Sequence, residues 1–246
     1  MDKWSVKLEG KDYDLQYLEK KFDSSILTII KDSNAYYLKS DSFEVLEDEV
    51  EVRLKASELI EKINMILKFD LGVYSLKIGE ITRLDGKKSN KRSSSLKCII
   101  RPVDSERIDM DYDKLIKCIY ENEKVEDAII FYYLGINWVN LFKVWETIVY
   151  DIGNAKIEKK GEYKDIMECG KNEIINNGWA KKNQIDLFRC TAHNRGGAGR
   201  EARHAVEEGI NPHCKKILSS SKPMPIGVAK KFIKQILNNW INTKCN

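Results

Sequence analysis

The chain has no long apolar run. The longest, AIIFYYLGI at residues 128–136, is far shorter than the roughly 20 residues that a helix needs to cross a bilayer. The first ten residues, MDKWSVKLEG, are charged and lack the apolar core of a secretory signal. We therefore expect a cytoplasmic protein without a membrane-spanning segment.

The sequence also has no Cys-x-x-Cys pair. Its six cysteines are widely scattered between residue 98 and residue 245. In a chain of this size without a secretory signal, such cysteines are expected to be reduced thiols and not a disulfide framework. They are Cys98, Cys118, Cys169, Cys190, Cys214 and Cys245.

Histidine occurs only three times, and all three residues lie in one window. This window, residues 188–214, reads FRCTAHNRGGAGREARHAVEEGINPHC and also holds the last four arginines of the chain. It is the one part of the sequence that suggests a particular chemistry.

The composition, 42% hydrophobic and 33% charged, is that of a globular protein. Net charge is uneven along the chain: 0 for residues 1–104, −5 for residues 105–180 and +9 for residues 181–246. A basic end after an acidic middle has two explanations. The two segments pack against each other, or the basic segment binds a polyanion.

The pattern of apolar residues predicts an α+β protein with two domains. Residues 1–104 contain several β-rich segments. They are WSVKLEG, the two halves of LTIIKDSNAYYLKS, VYSLKIGEITRL and SLKCIIRPV. A helix is predicted between them, over EDEVEVRLKASELIEKINMILKF, and the basic loop at residues 85–95 is expected to be a solvated tip.

Residues 105–246 are predicted to form a bundle of five or six helices. The first two are DYDKLIKCIYENEKVEDAIIFYYLG and NWVNLFKVWETIVYDIG, with Gly153 ending the second, followed by a charged linker, AKIEKKGEYK. Three more are predicted near residues 183–193 and 200–208 and after Pro225.

Within the window, NRGGAG predicts a break between two helices, because three glycines in four positions disfavour a helix. His193 and Asn194 would end the first helix, while Arg200, Arg203 and His204 would lie in the first turns of the second. Helix N-terminal N–H groups with arginines beside them suit a phosphate. Arginine at a helix N-terminus opposes the helix dipole, which indicates a functional site.

These positions define candidate nucleic-acid-binding residues. A cluster of lysines on the last helix, opposite its apolar stripe, would extend the same basic surface. The candidates are Asn194, Arg195, Arg200, Lys230, Lys231 and Lys234.

Two other interpretations of the window stay open. Its arginines could pair with the acidic middle segment, with His204 as a half-buried structural histidine. A zinc site could also form from residues that include the adjacent pair His213 and Cys214, although neighbours in sequence chelate one ion poorly. Its ligands would be Cys190, His193, His204, His213 and Cys214. We predict no metal and no cofactor.

The helix NWVNLFKVWE with Glu146, followed by a helix with Asn, Arg and His, resembles the HEPN superfamily of helical domains. The resemblance covers residues 105–246 and implies a metal-independent ribonuclease of a bacterial defence or toxin system. It also implies a homodimer in which Arg203 and His204 meet across the interface, with Glu146 in support. His193, at the predicted end of the preceding helix, is a further catalytic candidate.

The spacing of Arg and His departs from the usual HEPN pattern of Arg, four to six residues, then His. Arg189 to His193 and Arg200 to His204 each have three intervening residues, and Arg195 to His204 has eight.

The sequence thus predicts a helical-domain protein that acts on RNA or another polyanion. In metal-independent cleavage, a histidine transfers a proton and an arginine stabilises charge on the phosphate. The alternative is a non-catalytic module that docks a nucleic acid or a protein on its basic face.

Overall fold

The computed structural model describes residues 3–72, 76–84, 111–157, 162–199, 202 and 212–245. The chain divides into two compact units, Met1–Glu121 and Asn122–Asn246. Over the described residues, the first unit has a small antiparallel sheet with helices and the second has helices, which confirms the predicted α+β class. The domain boundary predicted near residue 105 lies outside the described residues.

Four antiparallel strands form the sheet of the first unit. They are β1 (Trp4–Glu9), β2 (Thr28–Asp32), β3 (Ala35–Lys39) and β4 (Lys77–Arg83), in the order β2-β3-β1-β4. Val6 of β1 lies opposite Leu38 of β3 and Ile81 of β4, and all three are buried. The strand at WSVKLEG and the hairpin around Asp-Ser-Asn are therefore confirmed.

Within its described residues, this unit also has three α-helices and a short 3-10 helix at Asp41–Phe43. The α-helices are α1 (Asp12–Glu19), α2 (Glu49–Leu71) and α3 (Tyr112–Glu121). The helix predicted over residues 47–69 is α2. It begins where the Asp48 carboxylate accepts the N–H groups of Val50 and Glu51, at 2.7 and 2.9 Å, and ends at Gly72 in the left-handed conformation (φ 70°). The predicted basic loop at residues 85–95 and the β-rich segment after it lie outside the described residues.

The second unit contains seven helical segments within the described ranges. They are α4 (Glu123–Leu134), α5 (Trp138–Lys156), α6 (Tyr163–Asn176), α7 (Lys182–His193), the single turn α8 (Arg195–Ala198), α9 (Pro212–Ser220) and α10 (Ile226–Lys244). The helices predicted near residues 183–193 and after Pro225 are confirmed as α7 and α10. The one predicted over residues 200–208 lies outside the described residues.

The first predicted helix of the bundle is in fact two helices, α3 and α4. Asn122 separates them, and its side-chain oxygen accepts the N–H groups of Lys124 and Val125 at 3.1 and 3.2 Å. An asparagine that satisfies these first-turn donors is a favoured start for a new helix. The division between the two units falls at this residue, so α3 groups with residues 1–121.

The prediction that Gly153 ends α5 is wrong, because α5 continues to Lys156. Gly153 instead lies where α5 crosses α6. A Cβ on Gly153 would overlap the carbonyl oxygen of Ile166 and lie 3.0 Å from the backbone nitrogen of Gly170. A Cβ on Gly170 would likewise overlap the carbonyl oxygen of Val149 and lie 3.1 Å from the nitrogen of Gly153. The two helices are therefore in backbone contact.

Each unit has its own apolar core. In the second unit, aromatic rings from three helices meet: Phe188 of α7 lies 6.1–6.2 Å from the rings of Trp138, Phe142 and Trp145 on α5, and 5.5 Å from Phe232 on α10. None of the helices in the described ranges is both long and apolar enough to span a membrane.

Candidate functional site

His193 lies in the last turn of α7 and packs on α5. Its imidazole ring and the ring of Phe142 are nearly perpendicular, with the ring centroids 4.3 Å apart and the planes at 84°. Phe142 is buried and His193 is half-buried. The position of His193 is thus fixed by the aromatic core of the second unit.

Asn194 ends α7, as the sequence predicts. Its backbone is extended (φ −109°, ψ 136°), and its side-chain amide donates a 2.7 Å hydrogen bond to the carbonyl oxygen of Cys190. This bond satisfies one of the carbonyl groups that a helix C-terminus leaves without an intrahelical partner. The side-chain amide of Asn194 therefore has a structural role at the end of α7.

Glu146 lies on α5 one helical turn after Phe142. Residues four apart lie on the same face of a helix, so Glu146 and the ring that contacts His193 share one side of α5. Tyr163, at the start of α6, donates a 3.4 Å hydrogen bond to the carboxylate of Glu146. Glu146 thus lies one turn of α5 away from the residue that His193 contacts.

The chain that leads into α10 is bonded to the last turns of α7. The buried hydroxyl of Thr191 donates to the carbonyl of Leu187 at 2.8 Å and accepts the backbone N–H of Met224 at 3.1 Å. Because Thr191 is two residues before His193, the start of α10 lies beside the end of α7 that carries His193.

The prediction that the three lysines of α10 lie opposite its apolar stripe holds for Lys231, which is exposed. Lys230 and Lys234 are half-buried at the edge of the buried side. Lys234 is about one turn after both Lys230 and Lys231, so the three residues are neighbours on the helix surface. The buried residues of the same helix are Ala229, Phe232, Ile233, Ile236, Leu237, Trp240 and Ile241.

The remaining predicted residues are arginines and a histidine of the window. Arg200, Arg203 and His204 lie outside the described residues. Arg195 is the first residue of α8, where only its backbone is described. The predicted meeting of Arg203 and His204 therefore stays a prediction.

The glycine run after Asn194 breaks the helix, as predicted, but it is not simply an exposed turn. A Cβ on Gly197 would lie 2.8 Å from both the Cα and the carbonyl oxygen of Thr191. Only glycine permits this contact between α8 and α7. Gly199 ends the turn with a positive φ of 62°.

The expectation that the cysteines are all reduced thiols is wrong for one pair. Cys190 of α7 and Cys214 of α9 form a disulfide, with their Cα atoms 5.0 Å apart. A thiolate is required to bind zinc, so these two sulfurs do not serve as ligands in the zinc site considered from the sequence. Across the described ranges, no three or more His, Cys, Asp or Glu side chains are grouped as metal ligands.

The first unit contains an open cavity that the sequence does not indicate. Its volume is about 350 Å³, and its lining includes Ser40, Ser42, Lys55 and Tyr120. The Ser40 and Ser42 hydroxyls are 2.8 Å apart, and the Lys55 ammonium lies 2.7 Å from Glu58. These polar groups bond within the protein, so they do not define a ligand.

The candidate residues that the structure describes in the second unit are His193 and Asn194 at the end of α7, Glu146 on α5 and the three lysines of α10. Sequence reasoning missed Phe142, Thr191 and the disulfide, because each depends on which helices are neighbours. Comparison of the chain with protein-family models, curated proteins and solved structures finds no match.

Proposed function

We propose that the second unit acts on RNA through its basic C-terminal part, as a metal-independent ribonuclease of the bacterial defence or toxin type. Charge is the observation that carries the proposal. Residues 181–246 contain thirteen Lys and Arg but four Asp and Glu, and three of these lysines are neighbours on the surface of α10. Clustered cations of this kind suit a phosphate backbone.

The proposed chemistry uses the histidines and arginines of the window. A histidine takes the proton of the 2′-hydroxyl group or protonates the leaving oxygen, and Arg203 stabilises the charge that develops on phosphate. His204 and His193 are the two candidates for the proton transfer. Glu146 supports the site from α5. The resemblance to HEPN domains further implies a homodimer in which residues of two copies together form the catalytic site.

One observation favours the non-catalytic alternative. The His193 ring packs against Phe142, and the side-chain amide of Asn194 is bonded to the end of α7. Both residues therefore contribute to structure, as they would in a module that only docks a nucleic acid on its lysines and arginines.

Binding is tested with a triple variant, Lys230→Gln/Lys231→Gln/Lys234→Gln. Each phosphate contact with single-stranded RNA changes the slope of log K against log salt by about 0.7, so losing three contacts should flatten the slope by about 2. The matched control, Lys114→Gln/Lys117→Gln/Lys124→Gln, removes the same charge from α3 and α4 and should keep the wild-type slope. Equal slopes for all three proteins would refute the proposed interface.

Catalysis is tested by incubating the protein with labelled RNA in EDTA. Cleavage that His204→Ala abolishes while RNA affinity is retained would establish the ribonuclease, and His193→Ala would identify the second proton-transfer group. Salt-dependent binding without cleavage would establish the docking module. Sedimentation with and without RNA would measure the proposed dimer.

A further inference from the structure

The disulfide joins two helices that contribute very differently to the second unit. Cys190 lies in α7, whose side chains enter the core, and only 2% of its surface is exposed. Cys214 lies in α9 and is half-buried. No side chain of α9 is fully buried, although Cys214, Ile217 and Leu218 are half-buried, whereas α10 fully buries seven.

The position of α9 therefore depends strongly on the bond. One polar contact with α7 pairs His213 Nε2 with Asp186 Oδ2 at 3.7 Å, and the side chains are 61% and 13% exposed. A long ion pair with one exposed partner contributes little stability. Without the bond, the apolar side chains of α9 that remain, Ile217 and Leu218, are only half-buried within the described residues, so they hold α9 weakly.

Opening the bond also leaves the core intact. Cys190 would remain buried as a small, weakly polar side chain, and Cys214 belongs to a helix outside the core. A disulfide that can open without unfolding its domain is suited to exchange, in contrast to one that holds a core together.

We propose that Cys190 and Cys214 form a reversible thiol–disulfide exchange site whose substrate is a low-molecular-weight thiol, and that its oxidation state determines whether α9 is fastened to α7. The bond closes a ring of chain from residue 190 to residue 214 that holds all three histidines of the protein. Exchange thus controls the tethering of α9 and not the core.

The chemistry balances with two equivalents of thiol. A thiolate attacks the more accessible sulfur of Cys214, a mixed disulfide forms there, and Cys190 leaves as a thiolate that takes a proton from water. A second thiolate attacks the outer sulfur of the mixed disulfide and releases Cys214 as a thiol. The pair gains two electrons and two protons, and the external thiols become one disulfide.

Hydrogen exchange measured by mass spectrometry on the full chain tests the proposal. The protein is oxidised with oxidised glutathione, and half is then reduced with dithiothreitol. We expect the α9 amides to exchange at least about tenfold faster after reduction, and the α5 and α10 amides to be unchanged, because local opening affects only what the bond holds. Reoxidation should restore slow exchange in α9.

Two variants separate this bond from other effects of the reductant. Cys214→Ser should exchange in α9 like the reduced protein under both conditions, and Cys169→Ser, at a thiol outside any disulfide, should behave like the wild type. Unchanged exchange in α9 would overturn the proposal. So would faster exchange in α5 and α10, or thiols at Cys190 and Cys214 that still react with an alkylating agent after oxidation.

Discussion

Asp70 of α2 is a buried carboxylate held by tyrosines. The Tyr112 hydroxyl of α3 donates a hydrogen bond to it, and the Tyr17 hydroxyl of α1 lies 3.4 Å from the same oxygen. Lys21 is close as well, with its ammonium 5.6 Å from the centre of the Tyr112 ring. Burial and then the negative charge of Asp70 raise the pKa of Tyr112.

This shift makes the first unit sensitive to alkali. In the unfolded chain a tyrosine ionises near pH 10, at about its ordinary pKa. Above that pH the unfolded state loses a proton that folded Tyr112 keeps, so stability is intact below about pH 10 and falls as the pH rises. Through Tyr112, the free energy of unfolding falls by at most about 1.4 kcal/mol per pH unit.

We expect Tyr112→Phe to flatten this alkaline loss, even though it lowers stability at neutral pH by removing a buried hydrogen bond. Urea unfolding at several pH values above and below the ordinary tyrosine pKa measures the slope. Tyr13→Phe, at a tyrosine that is 55% exposed, is the matched control. An identical slope in the wild type and Tyr112→Phe would contradict the assignment.

At the scale of elements, the crossing of α5 and α6 is the closest helix contact described. A carbonyl group of α6 lies against the Cα of Gly153, and a carbonyl group of α5 lies against the Cα of Gly170. A Cβ at either glycine would overlap that carbonyl oxygen. The crossing fixes where α6 lies along α5, and with it the contact between Tyr163 and Glu146.

Gly153→Ala should destabilise the second unit by about 3 kcal/mol, because the helices must separate to admit the methyl group. The gain in helix propensity, about 1 kcal/mol, is smaller than this cost. Urea unfolding followed by circular dichroism measures the difference.

The matched control is Gly227→Ala in α10, where a Cβ would meet no atom within 4 Å. It should be neutral or stabilise the protein by up to about 1 kcal/mol. If the two substitutions had the same effect, the close crossing would be wrong.

At the scale of the whole molecule, the two units are expected to fold separately. Each has a buried core of its own, and the fragment 122–246 keeps Asn122, which caps α4. Expressed alone, residues 1–121 and 122–246 should each unfold cooperatively, as followed by circular dichroism and urea.

A cut at residue 181 is the control for that experiment. It separates Phe188 and Phe232 from Trp138, Phe142 and Trp145, so the fragment 181–246 should not fold. If the fragment 122–246 were equally unfolded, the division at residue 121 would not mark an independent domain.

Much of the fold could be predicted from the sequence, because one-sided burial leaves a periodic pattern. This holds for β1, the β2–β3 hairpin, α2, α7 and α10. Helix α6 was missed because its buried positions are Ile166, Gly170 and Ile174, and the middle one is a glycine that acts through close contact and not through hydrophobicity.

The site was less predictable than the fold. The end of α7 at His193 and Asn194 followed from the local glycine run. The contact of His193 with Phe142 and the pairing of Cys190 with Cys214 link residues far apart in sequence, and cysteine connectivity cannot be deduced from spacing.

The crossing of α5 and α6 also has local two-fold symmetry. Gly153 meets the carbonyl of Ile166, four residues before Gly170, and Gly170 meets the carbonyl of Val149, four residues before Gly153. Within α6 the carbonyl of Ile166 accepts the backbone N–H of Gly170, and within α5 the carbonyl of Val149 accepts the backbone N–H of Gly153. The two glycines are therefore equivalent, and Gly170→Ala should destabilise the unit about as much as Gly153→Ala. Since the first methyl group already separates the helices, the double variant should lose less stability than the sum of the two.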